Sequence, residues 1–361
     1  MPDCFVAGGT TSIRSWSATG FSRRACGCPA TARRCWSAGT PPRWPPRRHT
    51  VWHGLHPAEL HARLQEGASL ALDSVDELHP PIALLAEAIE RDLRTRVQAN
   101  LYASWTSTEG FGVHWDDHDT VIVQLDGAKR WRIYGTTRAY PLYRDIEDPG
   151  EAPAEPIADL VLRPGDVLYV PRGVWHAVSA DQGVRSLHVT CGLQTHTATD
   201  LMAWVSEQML TREDWRRDLP LLAALDVQAD VVDGMRKRLA ELLEDPTLLA
   251  RYRAAMDGQA VGRMVPSLPY IDGIPADPHL RVRLTTARAV LDVGEDAVTL
   301  SAAGAVYEFA PEAEAVLRPL VDGRTVDLAT LADAVGLALE DVAGLVQELV
   351  AGQAAVVGIL L

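Results

Sequence analysis

Lysine is almost missing from this chain of 361 residues, because only Lys129 and Lys237 of its 34 basic residues are lysines. Cysteine is also scarce, and four of the five cysteines lie in the first 35 residues, which excludes a disulfide framework. No apolar run approaches the roughly 18 residues of a transmembrane helix. The first residues lack the basic-then-apolar order of a signal peptide. These absences predict a cytoplasmic protein without a membrane partner.

Positive charge is lacking outside the N-terminal region. The formal net charge of the whole chain is -14. Residues 1–50 have eight arginines and one acid and so a charge of +7, which means that the rest of the chain has a charge of -21. Nucleic-acid binding needs clustered Lys and Arg, so direct contact with nucleic acid is not expected. Residues 1–50 show no helical or strand periodicity. They are interpreted as a disordered basic tail or as the product of a shifted reading frame.

The part of the chain from residue 56 onward has the patterns of a folded protein. Helices are predicted at 56–67 and 80–93, with a strand at 68–75 between them. Seven short β segments follow between residues 97 and 193, separated by turn signals and without helical periodicity, which predicts a sandwich or barrel. The segment "LDGAK" predicts a hairpin at Asp126-Gly127.

The C-terminal half changes character. Residues 197–256 are helical in pattern, beginning at a threonine-rich cap, and a proline-containing linker follows. The last module has four strand patterns, three helix patterns and a terminal strand, an order that resembles a winged helix. It has few basic and many acidic residues, which favours a packing or partner role over DNA binding.

Two histidines and an aspartate form the clearest chemical pattern. His114 and Asp116 are two positions apart, so in extended chain both side chains point to one face and can bind one ion. In "PGDVLYVPRGVWHAV", turns at both ends of a short strand predict a rigid hairpin that presents His176 to the barrel interior. Two imidazoles and one carboxylate are the facial ligand set of non-haem Fe(II) oxygenases. Cys191 is the one thiol nearby, which disfavours structural zinc.

Lys129 stands out because this composition otherwise supplies arginine at basic positions. Lysine offers a compact point charge, which a planar guanidinium does not. On a strand of a barrel it would face a narrow apolar interior, where a buried ammonium needs an anionic partner. The alternative is an exposed strand lysine whose head reaches water.

Taken together, His114-x-Asp116, "LDGAKRW" and the spacing of "PGDVLYVPRGVWH" resemble the JmjC-type cupin oxygenases, in particular their ribosomal-oxygenase branch. The likeness is close over about residues 95–195 and looser beyond. It implies an α+β protein with a double-stranded β-helix core of the cupin or jelly-roll type, a helical middle region and a C-terminal winged-helix-like module. The implied parts are an atypical N-terminus at 1–50, a JmjC-type cupin catalytic domain at 51–196, a helical region at 197–260 and a winged-helix-like domain at 274–361.

The resemblance also implies a set of site residues. Fe(II) would be bound by the catalytic residues His114, Asp116 and His176. The co-substrate 2-oxoglutarate would be held by Lys129, in a pocket lined by Asn100, Tyr102 and His188. Two features depart from the family: the expected N-terminal strands are replaced or obscured by residues 1–50, and Gly192 stands where relatives often have a hydroxyl side chain.

The implied activity is that of a dioxygenase that uses O2 to hydroxylate a protein side chain, such as a His or Arg of a ribosomal protein. Two alternatives stay open: a hydroxylase for a small molecule or peptide of a biosynthetic pathway, and a non-catalytic ligand-binding cupin. The helices after residue 197 predict a homodimer, as in relatives. His118 and Asp119 either orient a ligand or are solvated loop charges, and Arg172 and Trp175 either shape a substrate entrance or cover the barrel rim.

Overall fold

A computed structural model describes residues 56–108, 110–142, 150–263 and 267–358. The expectations for residues 1–50 lie outside these ranges. The chain divides into two compact units. The first contains the chain up to Glu87 and Arg96–Gln194, and the second contains Ala88–Thr95 and the chain from Thr195 onward. In the described ranges, no helix combines the length and the apolar character needed to cross a membrane.

The first unit begins with short elements that precede the barrel. Helix α1 is Pro57–Gln65, strand β1 is Leu70–Leu72 and helix α2 is Pro80–Leu93. Proline at the first position of α1 suits the helix because its missing N–H would have no partner there. Both helices lie where the sequence predicts them, whereas the predicted strand at 68–75 is reduced to three residues.

Seven further strands build the barrel, at the positions of the predicted β segments: β2 Val97–Ser104, β3 Asp119–Gly127, β4 Lys129–Thr136, β5 Ala158–Leu162, β6 Val167–Val170, β7 Val174–Ala180 and β8 Ser186–Leu193. One sheet has the order β1-β2-β8-β3-β6 and the other β5-β4-β7, with antiparallel pairing. Apolar side chains from both sheets meet in one cluster: Ile122, Trp131, Leu162, Val170 and Val178. The arrangement is the expected double-stranded β-helix.

The two predicted hairpins are wrong, and the reason is the same for both. Strands β3 and β4 belong to different sheets, as do β6 and β7, so each tight turn carries the chain from one sheet to the other. At the first crossing Gly127 has φ +67, and a Cβ there would stand 1.6 Å from the carbonyl oxygen of Arg185. Glycine is therefore required by a close backbone approach and not by a two-residue hairpin.

The second unit is helical first and then mixed. Its elements are α3 Ala198–Met209, α4 Glu213–Arg216, α5 Leu225–Leu243, α6 Leu248–Gly258, β9 Arg281–Leu284, β10 Val290–Val293, β11 Val298–Ala302, β12 Ala305–Phe309, α7 Glu314–Val321, β13 Val326–Asp327, α8 Leu328–Val335, α9 Leu339–Ala351 and β14 Ala355–Gly358. Thr197 and Asp200 form a capping box at α3, as the threonine-rich start predicts. The helix predicted to run on toward residue 256 is broken between α5 and α6, at a turn containing Pro246.

The second unit also buries charged side chains, and these are paired. The Asp257 carboxylate is 2% exposed and accepts hydrogen bonds from Arg94, at 2.7 Å, and Arg288, at 3.2 Å. Glu90 pairs in the same way with Arg263 at 3.2 Å. A buried charge without such a partner would be strongly destabilising.

Candidate metal centre

His114 and His176 lie side by side at the end of the barrel where β3 begins. They form an isolated antiparallel bridge, in which the His114 N–H donates to the His176 carbonyl at 3.0 Å and the His176 N–H donates back at 2.8 Å. Their ring centroids are 4.4 Å apart. Asp116 Oδ2 lies 3.7 Å from His176 Nε2, and one ligand atom from each of the three residues lies within 4.8 Å of the others. The three side chains therefore converge on one point.

Hydrogen bonds from the far side of each ring orient the two imidazoles. Nδ1 of His114 lies 3.1 Å from the Gly112 carbonyl, and Nδ1 of His176 lies 2.9 Å from the Val174 carbonyl. A carbonyl can only accept, so both Nδ1 atoms carry the proton and both Nε2 atoms are available as ligands. Burial and the neighbouring His114 lower the pKa of His176, which favours its neutral form. Neutral imidazole is the form that binds a metal.

The residues around the cluster hold the backbone that carries it. The Gly173 N–H donates to the Asp116 carbonyl at 2.8 Å, and the Arg172 N–H donates to Asp119 Oδ1 at 2.8 Å. Asp119 thus holds the turn that leads into β7, and its role in orienting a ligand stays a prediction. Trp175, 6% exposed, packs edge-on against the buried Trp115 with centroids 6.5 Å apart, so it covers the rim.

This donor set suits a divalent transition metal. Two neutral imidazole nitrogens and one carboxylate oxygen on one side of an ion match the facial ligand set, and they leave the opposite side open. Cys191 is fully buried and alternates along β8 with Thr190 and Gly192, so its thiol points away from the barrel interior. The residues present therefore fit iron better than a thiolate-bound structural metal.

Lys129 is buried in the barrel, with 2% of its surface exposed. Its Nζ donates to Ser104 Oγ at 2.9 Å, and the described residues supply no carboxylate partner. Burial lowers the pKa of Lys129 from 10.5 to about 8. The snorkelling alternative is thus wrong, and this ammonium has the environment expected of an anion-binding group.

Ser104 is a site residue that the sequence analysis missed. It pairs with Ser186 in the register between β2 and β8, and it lies on the same face of β2 as Asn100 and Tyr102. The period of two along "NLYAS" was the signal that could have identified it. Because its oxygen accepts from Lys129, its own hydroxyl hydrogen remains able to donate to a ligand.

Tyr102 and His188 lie next to Lys129 in the barrel interior. Their rings stack with centroids 5.2 Å apart. The His188 and Trp131 rings pack edge-to-face, with centroids 6.1 Å apart. Burial, with a contribution from the Lys129 charge, lowers the pKa of His188 well below its usual range, so the ring is neutral. His188 Nδ1 and Trp131 Nε1 are buried, and no described residue supplies either of them with a hydrogen-bond partner. Orphaned polar atoms of this kind indicate a place for a polar ligand.

Asn100 is held by a loop before the barrel. Its Oδ1 accepts a hydrogen bond from the Ser74 N–H at 2.9 Å, and Ser74 itself has φ 54, in the left-handed region. With the oxygen engaged, the amide nitrogen is the group left to donate. The structure thus brings all seven predicted site residues to one barrel, with Lys129, Tyr102 and His188 toward its closed end and the His-Asp-His cluster at the other.

Arg172 and His118, whose roles the sequence left open, lie near the His-Asp-His cluster. The Arg172 guanidinium carbon is 5.9 Å from the centre of the exposed Tyr140 ring, which supports a place at an entrance. His118 Nδ1 lies 3.0 Å from Asp117 Oδ1. A Cβ placed on Gly192 would be 2.8 Å from His118 Cδ2, so this ring occupies the space that a side chain at 192 would need.

The double-stranded β-helix, with a His-x-Asp and a distant His at one end, is the arrangement that the resemblance to JmjC-type cupins implies. Comparison with known families agrees, since residues 77–201 match the JmjC domain and residues 241–355 match the ROXA-like winged helix. The chain therefore contains a JmjC domain and a ROXA-like winged helix, and the predicted resemblance to the JmjC-type cupin oxygenases is confirmed.

Several known proteins are similar to this chain. Ribosomal oxygenase 1 of Gallus gallus is 30% identical over 229 residues, which cover 59% of this chain and 38% of the relative. The bifunctional lysine-specific demethylase and histidyl-hydroxylase NO66 of Dictyostelium discoideum is 27% identical over 276 residues, covering 68% of this chain and 54% of the relative. The chain thus spans about half or less of these curated relatives.

Among solved structures, YcfD, a ribosomal oxygenase from Escherichia coli in complex with cobalt and succinic acid, is similar with a TM-score of 0.54 and 22% identity. That match covers 85% of this chain and 83% of YcfD. A structure of YcfD with cobalt and 2-oxoglutarate gives a TM-score of 0.52 at 21% identity. At this level of identity the likeness establishes the fold.

Proposed function

We propose that this protein is an Fe(II)- and 2-oxoglutarate-dependent dioxygenase that hydroxylates a protein side chain. The observation that carries the proposal is the Lys129 ammonium, which is buried with no carboxylate partner among the described residues, in the same barrel as a converging His-Asp-His cluster. A buried unpaired charge is costly, and it is retained where a ligand of opposite charge binds.

His114, Asp116 and His176 are proposed to hold Fe(II). When bound together, iron and 2-oxoglutarate would activate dioxygen: 2-oxoglutarate would lose carbon dioxide and take up one oxygen atom to become succinate, and the other oxygen atom would enter a substrate C–H bond as a hydroxyl group. The chain's own part is orientation, since the hydrogen bonds to Gly112 and Val174 direct both Nε2 atoms to the same point. The buried Trp115 and Trp175 close off the outer side of the cluster from water.

Lys129 and Ser104 are proposed to bind the carboxylate of 2-oxoglutarate that lies farther from the metal. The ammonium supplies the charge and the serine hydroxyl supplies a second donor. Asn100, Tyr102 and His188 are proposed to line the same pocket, where the neutral His188 avoids adding a second buried charge beside Lys129. Together these side chains would align the co-substrate along the barrel axis.

The substrate class is proposed from the relatives, which are named ribosomal oxygenases and histidyl-hydroxylases. A His or Arg side chain of a ribosomal protein is the proposed target. Ribosomal proteins are basic, and the -21 charge of residues 51–361 would speed their encounter with this chain. Such a substrate also agrees with the cytoplasmic location proposed for the protein.

The test is an anaerobic titration of 2-oxoglutarate into the Fe(II)-loaded protein, followed by visible absorption. The parent is expected to develop a charge-transfer band that saturates, His176→Ala is expected to show none, and Lys129→Ala is expected to need at least 100-fold more co-substrate. Lys237→Ala is the matched control, because this exposed lysine pairs with Asp233 on a helix of the other unit. Absence of a band in the parent would contradict the proposal and favour a non-catalytic ligand-binding cupin.

We also propose that the helices after residue 197 mediate a homodimer. Helix α5 has no buried residue among its described positions, and large apolar side chains before and at its start are 56% to 102% exposed: Leu210, Leu219, Leu221, Leu222 and Leu225. Exposed apolar clusters of this kind mark interaction surfaces. Light scattering is expected to show a dimer for the parent and a monomer for Leu222→Arg/Leu225→Arg, whereas a monomeric parent would contradict the proposal.

A further inference from the structure

His118 occupies a position inside the barrel mouth that the proposed metal and co-substrate sites do not use. The mouth is defined here as the end of the barrel at which β3 begins, with His176 on one sheet and Gly192 on the other. Along the inner face of β8, Ser186 and His188 are buried, whereas Thr190 and Gly192 are partly exposed. The barrel therefore opens toward Gly192.

Both sheets open at the same end. Residue 129 pairs with Ala180 and residue 133 with His176, so the metal cluster lies four positions along β4 from Lys129, which is about 13 Å of extended strand. In the other sheet Gly192 lies four positions along β8 from His188. The cluster and Gly192 are thus level with each other, at the distal end from the lysine.

The ring of His118 fits over Gly192. A Cβ there would stand 2.8 Å from His118 Cδ2 and 2.9 Å from Nε2, closer than side-chain atoms approach one another. Gly192 does not have a positive φ, so its backbone would accept any residue. The glycine is consequently explained by the imidazole that lies on it and not by backbone conformation.

Asp117 fixes the direction of that ring. Its Oδ1 lies 3.0 Å from His118 Nδ1, and the side chains of both residues are 45% exposed. With Nδ1 engaged, Nε2 is the atom left to meet a molecule that enters the mouth. His118 lies two residues after Asp116, so its imidazole stands close to the metal cluster on the side where the barrel opens.

We infer that His118, seated on Gly192 and oriented by Asp117, contacts the substrate side chain and determines which side chain is accepted. The inference rests on the proposed function and deepens it. The neighbouring carboxylates of Asp117 and Asp119 favour a side chain with positive charge, since they raise the local concentration of cationic groups. The co-substrate, held at Lys129, lies deeper and does not depend on His118.

The experiment uses four degenerate peptide pools with a fixed central Arg, His, Lys or Asn, and the whole 361-residue chain loaded with Fe(II) and 2-oxoglutarate. Oxygen incorporation into each pool is followed by mass spectrometry, and the dissociation constant of 2-oxoglutarate is measured in parallel. The parent is expected to oxidise one of the cationic pools in preference to the Asn pool. In His118→Ala that preference is expected to fall at least tenfold, while the 2-oxoglutarate constant stays within twofold.

Gly192→Ala is expected to cause the same loss of preference, because the new methyl group displaces the ring, and the double variant should lose no more than either single one. His61→Ala, which removes an exposed imidazole from α1, is the control and should behave as the parent does. An unchanged preference in His118→Ala, or an equal weakening of 2-oxoglutarate, would overturn the inference.

Failure of the proposed function is a separate result. A parent that binds 2-oxoglutarate but oxidises none of the pools overturns the inference and leaves the co-substrate site standing. A parent that shows no 2-oxoglutarate band overturns the proposed function itself.

Discussion

The barrel and the second unit both bury charged side chains, but the buried charges of the second unit are paired with opposite charges and, among the described residues, Lys129 in the barrel is not. Around Asp257 two arginines satisfy one carboxylate, and Glu90 is matched by Arg263. In the barrel Lys129 has a serine where a carboxylate would be expected. Since unpaired buried charge lowers stability, the difference separates a network that supports folding from a group kept for binding.

The largest effect is expected from breaking the paired network. Asp257→Ala removes the carboxylate between Arg94 and Arg288 and leaves the nearly buried Arg288 without its partner, which is expected to lower the free energy of unfolding by about 3 to 5 kcal/mol. Chemical denaturation measures this loss. Asp233→Ala is the matched control, because that carboxylate is exposed and its ion pairs should contribute little to stability. Equal effects of the two variants would mean that the Asp257 network has no special role.

In the absence of ligands, Lys129→Met is expected to raise the free energy of unfolding, whereas Asp257→Ala lowers it. Burial lowers the pKa of Lys129 from 10.5 to about 8, which corresponds to about 3 kcal/mol of destabilisation below pH 8. Loss of the hydrogen bond to Ser104 offsets about 1 kcal/mol. At pH 7 the variant should therefore be about 2 kcal/mol more stable than the parent by thermal unfolding, yet bind 2-oxoglutarate very weakly. A less stable variant would show that Lys129 is structural.

The same pKa gives the affinity a pH dependence. A lysine is charged below its pKa, so the ammonium that binds the anion is present at pH values well below 8 and is lost as the pH rises through about 8. The dissociation constant of 2-oxoglutarate, measured by calorimetry with Mn(II), is expected to rise by up to about tenfold per pH unit beyond that point. Lys129→Arg keeps its charge throughout and should remove this dependence if it binds.

The smallest effect is expected at Ser104. Ser104→Ala removes the hydroxyl that accepts from Lys129 and is proposed to donate to the co-substrate, which should weaken 2-oxoglutarate by about fivefold, or about 1 kcal/mol. Titration of the Fe(II) protein measures it, with Ser179→Ala on the other sheet as the control. An unchanged affinity would remove Ser104 from the proposed pocket while leaving Lys129 in it.

Local patterns predicted the chemistry of the barrel better than its connections. His114, Asp116 and Lys129 could be identified because a spacing of two and a rare residue type are visible in the sequence alone. Ser104 could have been found by the same alternation. The hairpin at Asp126-Gly127 could not be distinguished from a crossing between sheets, because the deciding contact is with Arg185, far along the chain.

The charge network of the second unit was beyond prediction for a similar reason. Asp257 meets Arg94 across 163 positions and Arg288 across 31 positions. Neither separation follows a helical or strand period, so nothing in the local sequence marks the three residues as partners. Pairings of this kind depend on the packing of whole elements.

The bridge between His114 and His176 has a mechanical consequence. In the described ranges, His114 lies in no named strand, and the segment holding it and Asp116 is joined to the chain around His176 by backbone hydrogen bonds at His114 and Asp116. A cation held by all three side chains would bind the folded chain and not the unfolded one, so its binding free energy would add to the stability of the folded barrel. The metal would then stabilise the fold of the barrel in addition to forming its reactive centre.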